Sequence, residues 1–205
     1  PFSVEDSRKV ISDYQKGNGQ QIPVLGYSDL DCNSLQRIAK GFTTPTVYNL
    51  CDWERMESKP MPEEFSAGMR LGFELRACPV VRKANNGAKW KQGQEMDAFL
   101  SRVLEVDDPE IKVEREDVYS DWFKNILSAT KAAEPITVHM KRFSLERMAR
   151  RTQGTNRKVK IIKRPDVTLS GKMEVREGTN FIKLLKEGIG RHKSFGFGML
   201  KIKRA

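Results

Sequence analysis

The spacing of apolar residues changes several times along the chain, and each change marks an element. Phe2–Val10 and Ile22–Tyr27 read as two short strands separated by the turn Lys16-Gly17-Asn18-Gly19, a pattern expected of a hairpin. Asp31 or Asn33 then caps a helix with Leu35, Ile38 and Ala39 on its apolar face and Gly41 at its end. Val47–Leu50 is a strand candidate. The run Ser58-Lys59-Pro60-Met61-Pro62 continues neither helix nor sheet, because proline lacks the donor that both need, so a boundary falls near residues 58–68.

Beyond that connector, Leu71, Phe73, Leu75 and Ala77 alternate with polar neighbours, which predicts a half-buried strand with Pro79 near its end and a loop over Asn85–Gly93. Helical spacing follows in Met96, Phe99, Leu100, Val103 and Leu104, and again in Val118, Tyr119, Trp122, Phe123, Ile126 and Leu127. Both sets read as core stripes, joined by a solvated acidic connection over Asp107–Asp117.

Ile136–Phe143 predicts a strand with Val138 and Met140 on one face. His139 and Lys141 lie on the other, turned towards a ligand or towards water. A period of two resumes in Val159 and Ile161 and runs through Val167, Leu169, Gly171, Met173 and Val175, with a bulge expected at Pro165. Thr179 caps a last helix whose apolar face is Phe181, Ile182, Leu184, Leu185 and Ile189. Gly188 stops it, and Gly198, Leu200 and Ile202 form a closing strand.

From residue 70 the order is strand, helix in two pieces, strand, strand, helix, strand, which is the ferredoxin-like split βαβ arrangement. The first 60 residues give strand, strand, helix, strand, the same unit without its first strand and helix. The expected fold class is α+β. It comprises two tandem ferredoxin-like (RRM-like) domains, residues 1–68 and 69–205, the first incomplete.

Charge sharpens this picture. The 205 residues carry a net +10, but residues 138–205 hold 19 Lys and Arg against 5 Asp and Glu, while residues 1–137 hold 18 against 22. One end carries all the excess, the footprint expected for a nucleic-acid partner. A membrane surface fits less well, because the basic segment has no helix with a wide apolar face. No apolar run approaches the roughly 20 residues of a membrane span, and no signal peptide is evident, so a soluble cytoplasmic protein is expected. Cys32, Cys51 and Cys78 have no C-x-x-C spacing, and His139 and His192 are the only histidines. A disulfide framework, a metal centre and a cofactor are therefore not expected.

Two segments concentrate the candidate chemistry. Lys141–Arg164 holds ten basic residues and one acid, Glu146, and reads as a long basic arm between strands. Its candidate nucleic-acid contacts are Lys141, Arg142, Arg147, Arg150, Arg151, Arg157, Lys158, Lys160, Lys163 and Arg164. The second segment, Gly188-Ile189-Gly190-Arg191-His192-Lys193-Ser194-Phe195-Gly196-Phe197-Gly198, brackets a basic triplet with glycines that let consecutive N–H groups converge on an anion. Gly188, Gly190, Arg191, His192, Lys193, Ser194, Gly196 and Gly198 are the candidate contacts. The alternative is a helix cap followed by close strand packing. Neither a Walker A loop nor the dinucleotide fingerprint fits: no Gly precedes Lys193, and the loop follows a helix and opens a strand.

A helix, glycine-rich loop and strand closing a ferredoxin-like domain, with a basic arm between its second and third strands, resembles the CRISPR repeat-processing endoribonucleases, in particular the CasE (Cse3) family of type I-E Cascade. The likeness rests on the glycine loop through Met199-Leu200, on Arg70–Val80, which resembles the first strand of that family's second domain, and on Leu169–Val175, which resembles its third. It covers about 135 residues well and the first 60 loosely. The resemblance implies a bacterial antiviral-defence protein that cleaves precursor CRISPR RNA repeats without metal, by attack of a ribose 2′-hydroxyl. The product hairpin would stay bound, and Cascade backbone and 5′-end-capping subunits would be partners. In that family the catalytic histidine lies on the first helix of the first domain. No histidine precedes His139 here, so the expectation is that this segment is absent, leaving His192 and Lys160 as catalytic candidates within the chain. A non-catalytic subunit that holds an RNA hairpin in a ribonucleoprotein is the alternative. A generic RNA-recognition module fits less well, since the aromatic stacking motif is echoed only by Phe195-Gly196-Phe197.

Overall fold

Strict alternation puts Leu71, Phe73, Leu75 and Ala77 on one face of a strand, and in the computed structural model of the protein all four are buried. The structure describes residues 1–4, 22–106, 108, 110–151 and 159–205. Its elements are β1 (Phe2–Val4), β2 (Val24–Gly26), α1 (Cys32–Phe42), α2 (Pro45–Tyr48), β3 (Arg70–Ala77), β4 (Val80–Arg82), β5 (Glu95–Asp97), α3 (Ala98–Glu105), α4 (Arg115–Thr130), β6 (Ala133–Arg151), β7 (Val159–Val175), α5 (Gly178–Glu187), a 3₁₀ turn (Lys193–Phe195) and β8 (Leu200–Arg204). They form two compact units, one of residues Tyr27–Glu63 and one of Pro1–Gly26 with Glu64–Ala205.

The larger unit is built on an antiparallel sheet in the order β6-β7-β3-β8. With α3 and α4 between β3 and β6, and α5 between β7 and β8, this is the ferredoxin-like topology expected from the sequence. Its core joins Phe73, Leu75, Leu169, Met173 and Val175 of the sheet to Tyr119, Phe123 and Leu127 of α4 and Phe181 of α5. The rings of Phe73 and Phe123 lie 5.0 Å apart. The other sheet face is polar, and one row runs His139, Ser170, Glu74, Lys201 across all four strands. His139 is exposed there, as its outward parity predicted. β1 pairs antiparallel with β2, so the expected hairpin strands exist in shorter form. The Lys16–Gly19 turn lies outside the described residues.

In the smaller unit, α1 is capped by Asp31, whose carboxylate accepts from the Ser34 N–H at 2.7 Å. Tyr48 stacks on Trp53 with ring centroids 5.0 Å apart, and the Trp53 indole N–H donates to the Tyr48 carbonyl. None of the α1 side chains is buried, so its apolar stripe is not a core stripe here.

Several local expectations are corrected. Val47 lies in helix α2 rather than a strand, because Pro45 at the first helical position presets φ for the turn that opens after Thr44. Met96 belongs to β5, and the helix starts only at Ala98, since the Asp97 carboxylate accepts from the Phe99 N–H and ends the extended segment. The cap of α5 is Glu177, whose carboxylate accepts from the N–H groups of Thr179 and Asn180. Pro165 sits in regular register with Leu145; the irregularities fall on β6, between Pro135 and Thr137 and between Met140 and Arg142. The basic arm is itself sheet. β6 and β7 continue past the core as a two-stranded ribbon paired out to Arg151 and Val159.

Candidate nucleic-acid interface

Residues directly opposed in an antiparallel pair share a face, so the register assigns the two sides of the ribbon. Met148 and Ile162 are opposed, and both pack with Cys78, Val80 and Phe197; this side seats the ribbon against β4 and the glycine loop. On the other side Leu145 opposes Pro165, Arg147 opposes Lys163 and Ala149 opposes Ile161. Arg147 and Lys163 are exposed, flanked by Leu145 and Ile161, each 57% exposed. Farther out on the Met148 side, Arg150 holds the position opposite Lys160. Like charges directly opposite one another destabilise a free hairpin. Such a pair becomes favourable once an anion lies against it.

The remaining basic candidates divide by role. Lys141 donates to Glu74 at 3.0 Å on the polar sheet face. Arg142 and Arg76 both bind Asp166, which is 1% exposed; the contacts are 3.2 Å from Arg142 Nη2 and 2.7 Å from Arg76 Nη2. Both guanidiniums thus anchor the root of the ribbon. Lys160 is exposed. Arg157 and Lys158 lie outside the described residues, as do the side chains of Arg150 and Arg151.

The glycine loop has a centre that the sequence did not disclose. Glu95 of β5 accepts from His192 Nε2 at 2.5 Å and Arg191 Nε at 2.6 Å, and pairs with Arg164 Nη2 at 3.1 Å. Burial raises the pKa of the Glu95 carboxyl, but the His192, Arg164 and Arg191 donors outweigh it and hold the group below its ordinary value. Arg164 reaches Glu95 from the inner side of the ribbon, so an ion pair ties ribbon to loop. His192 adopts a left-handed conformation, φ 61°, beside Phe195. Lys193 and Ser194 open the 3₁₀ turn that follows. No spacing rule flags Glu95, which falls between a loop and a helical stripe.

The loop glycines answer to packing as well as to any ligand. Gly188, Gly190, Gly196 and Gly198 all have positive φ. The Ile189 N–H donates to the Gly198 carbonyl at 2.7 Å, and the Gly198 N–H to the Arg76 carbonyl at 2.8 Å. A Cβ on Gly198 would overlap the Ile189 carbonyl oxygen, and one on Gly190 would lie 2.9 Å from the Trp122 ring. Gly198→Ala is therefore expected to destabilise the protein by about 2 kcal/mol or more, through left-handed strain plus the clash. Gly41→Ala, at a helical site with open space around it, is expected to be neutral or slightly stabilising. Denaturant midpoints of the two variants check the contrast.

Among the described residues no group of three His, Cys, Asp or Glu is gathered to hold a metal ion, and no helix is long and apolar enough to cross a membrane. The Cys78 thiol is buried, and burial pushes its pKa up to about 12, which leaves it unreactive. A family model described as CRISPR associated protein matches residues 7–204. The chain belongs to that family. No curated protein matches the sequence. Among solved structures, this CRISPR-associated chain is similar to a CRISPR endoribonuclease Cse3 bound to a 19-nucleotide RNA, at 19% identity and a TM-score of 0.52, with 72% of this chain and 62% of that one covered. It is also similar to Thermus thermophilus Cse3 bound to an RNA representing a pre-cleavage complex, at 18% identity and a TM-score of 0.52, over 79% and 68% of the two chains. At these identities the likeness establishes the fold. The CRISPR-associated chain spans about 62% of the length of the first of these relatives.

Proposed function

We propose that this CRISPR-associated protein binds the hairpin of precursor CRISPR RNA repeats, takes part in its endoribonucleolytic processing, and retains the product hairpin within a Cascade-type surveillance complex. The observation that carries this reading is the ribbon joined to the glycine loop through Glu95 and Arg164, with the like-charged pair Arg147 and Lys163 on its outer side. A basic pair of this kind is served by closely spaced phosphates, and a duplex stem supplies them on two strands. Membership of the family and the shared fold of the RNA-bound Cse3 structures support the choice of RNA.

The chemistry proposed is metal-independent. A ribose 2′-hydroxyl attacks the adjacent phosphorus, forming the O2′–P bond as the P–O5′ bond breaks. A base takes the hydroxyl proton and an acid protonates the leaving 5′-oxygen. The chain's own residues position and neutralise the phosphates; with its Nε2 committed to Glu95, His192 serves the loop rather than the proton transfers. Repeat RNA incubated in EDTA with the complete protein is expected to yield a 2′,3′-cyclic phosphate end, and His192→Ala to bind more weakly while still cleaving. Cleavage abolished by chelation and restored by magnesium would exclude this mechanism. Tight hairpin binding with no cleavage would favour the alternative, a non-catalytic hairpin-holding subunit.

A further inference from the structure

Glu95 is out of place on simple electrostatic grounds. A carboxylate set among Arg164, Arg191 and His192 cancels charge on the surface that should attract a polyanion. Its surroundings indicate a different use. Two partners, His192 and Arg164, have side chains only 10% and 20% exposed, whereas that of Arg191 is 51% exposed. The carboxylate is thus braced from behind by two largely buried groups and grips the exposed guanidinium in front. It takes Arg191 by Nε, the nitrogen nearest the chain, which leaves the two terminal nitrogens as a fork of the shape that binds phosphate oxygens bidentately. His192 keeps a left-handed backbone that a non-glycine residue adopts only when its surroundings hold it there, and the Glu95 bond is one of those restraints.

We infer that Glu95 is the positioning residue of the glycine loop: braced by Arg164 and His192, it presets Arg191 to receive a phosphate of bound RNA. The inference rests on the reading of this surface as an RNA site and deepens it. A freely rotating arginine must be ordered on binding, and a preset one has already lost that freedom, so the carboxylate adds affinity despite its charge.

The sign of one substitution separates the two roles. Glu95→Gln removes a negative charge, so a merely competing anion predicts tighter RNA binding. The positioning role predicts binding about tenfold weaker, as for loss of one charge-assisted contact. The salt dependence should fall by about one phosphate contact. Glu95→Asp keeps the charge but withdraws it from Arg191, and is expected to show the same loss. In an Arg191→Gln background, Glu95→Gln is expected to cost less than twofold more. The full chain is titrated with a CRISPR repeat hairpin and with an unrelated hairpin of equal length, and circular dichroism confirms that each variant is folded. Unchanged or tighter binding by Glu95→Gln, full affinity in Glu95→Asp, or losses that add in the double variant would overturn the inference. Equal affinity of the wild type for both hairpins would count against the repeat-specific reading while leaving the inference tested on either. Failure to bind both would overturn the two together.

Discussion

Replacing Arg147 and Lys163 together by glutamate is expected to weaken hairpin binding by about 100-fold at moderate salt, since each lost charge-assisted contact is worth roughly 1.5 kcal/mol or more. The slope of log affinity against log salt should fall by about two phosphate contacts. The two residues are directly opposed on the outer side of the ribbon, so no core contact is lost with them. Replacing only Arg147 turns a repulsive cross-strand pair into an attractive one, worth a few tenths of a kcal/mol in the free protein. The single variant should thus hold or raise the melting temperature while losing affinity. Affinity measured across a salt series, beside a thermal melt, reads both effects. An unchanged slope would remove the ribbon from the RNA interface.

That ribbon also shows where sequence reasoning succeeds and where it stops. The topology was legible because burial on one sheet face forces alternation at Leu71–Ala77 and Val167–Val175, and because the stripe of α4 and the Gly188 cap obey simple periodicity. The basic arm was located by its charge, but its strand character was not, since Arg147, Arg150 and Arg151 carry no apolar alternation to reveal it. Pairing is set there by register continued outward from the core. The misassigned ends, Val47 and Met96 and the cap at Glu177, lie where short-range hydrogen bonds compete and several residues offer an equivalent partner. Glu95 and Asp166 escaped for a different reason. Each collects partners from distant segments, and a contact between residues 95 and 192 or 76 and 166 leaves no trace in local spacing.

Asp166→Ala is expected to be the most damaging single change outside the apolar core. Asp166 on β7 accepts from Arg76 Nε and Nη2 on β3, at 3.1 and 2.7 Å, and from Arg142 Nη2 on β6, at 3.2 Å; one buried carboxylate thus ties β3 to the two strands that form the ribbon. Removing it takes from two largely covered guanidiniums the buried carboxylate they share, a loss of about 3 kcal/mol. For a chain of this size that lowers the melting temperature by about 10 °C. Asp166→Asn keeps the volume and one acceptor, so it should cost less. Glu74→Ala, which breaks the exposed pairs to Lys141 and Lys201, should cost under about 1 kcal/mol, because solvent already screens them. The damage should also reach the interface. The Arg76 guanidinium lies 4.9 Å over the ring of Phe197, and Phe197 packs with Met148 of the ribbon. Loosening Arg76 therefore frees the joint between ribbon and glycine loop, and hairpin affinity should fall in Asp166→Ala even at temperatures where the protein remains folded. If affinity held while stability fell, the joint would be structural only, and the ribbon would find its place on RNA without it.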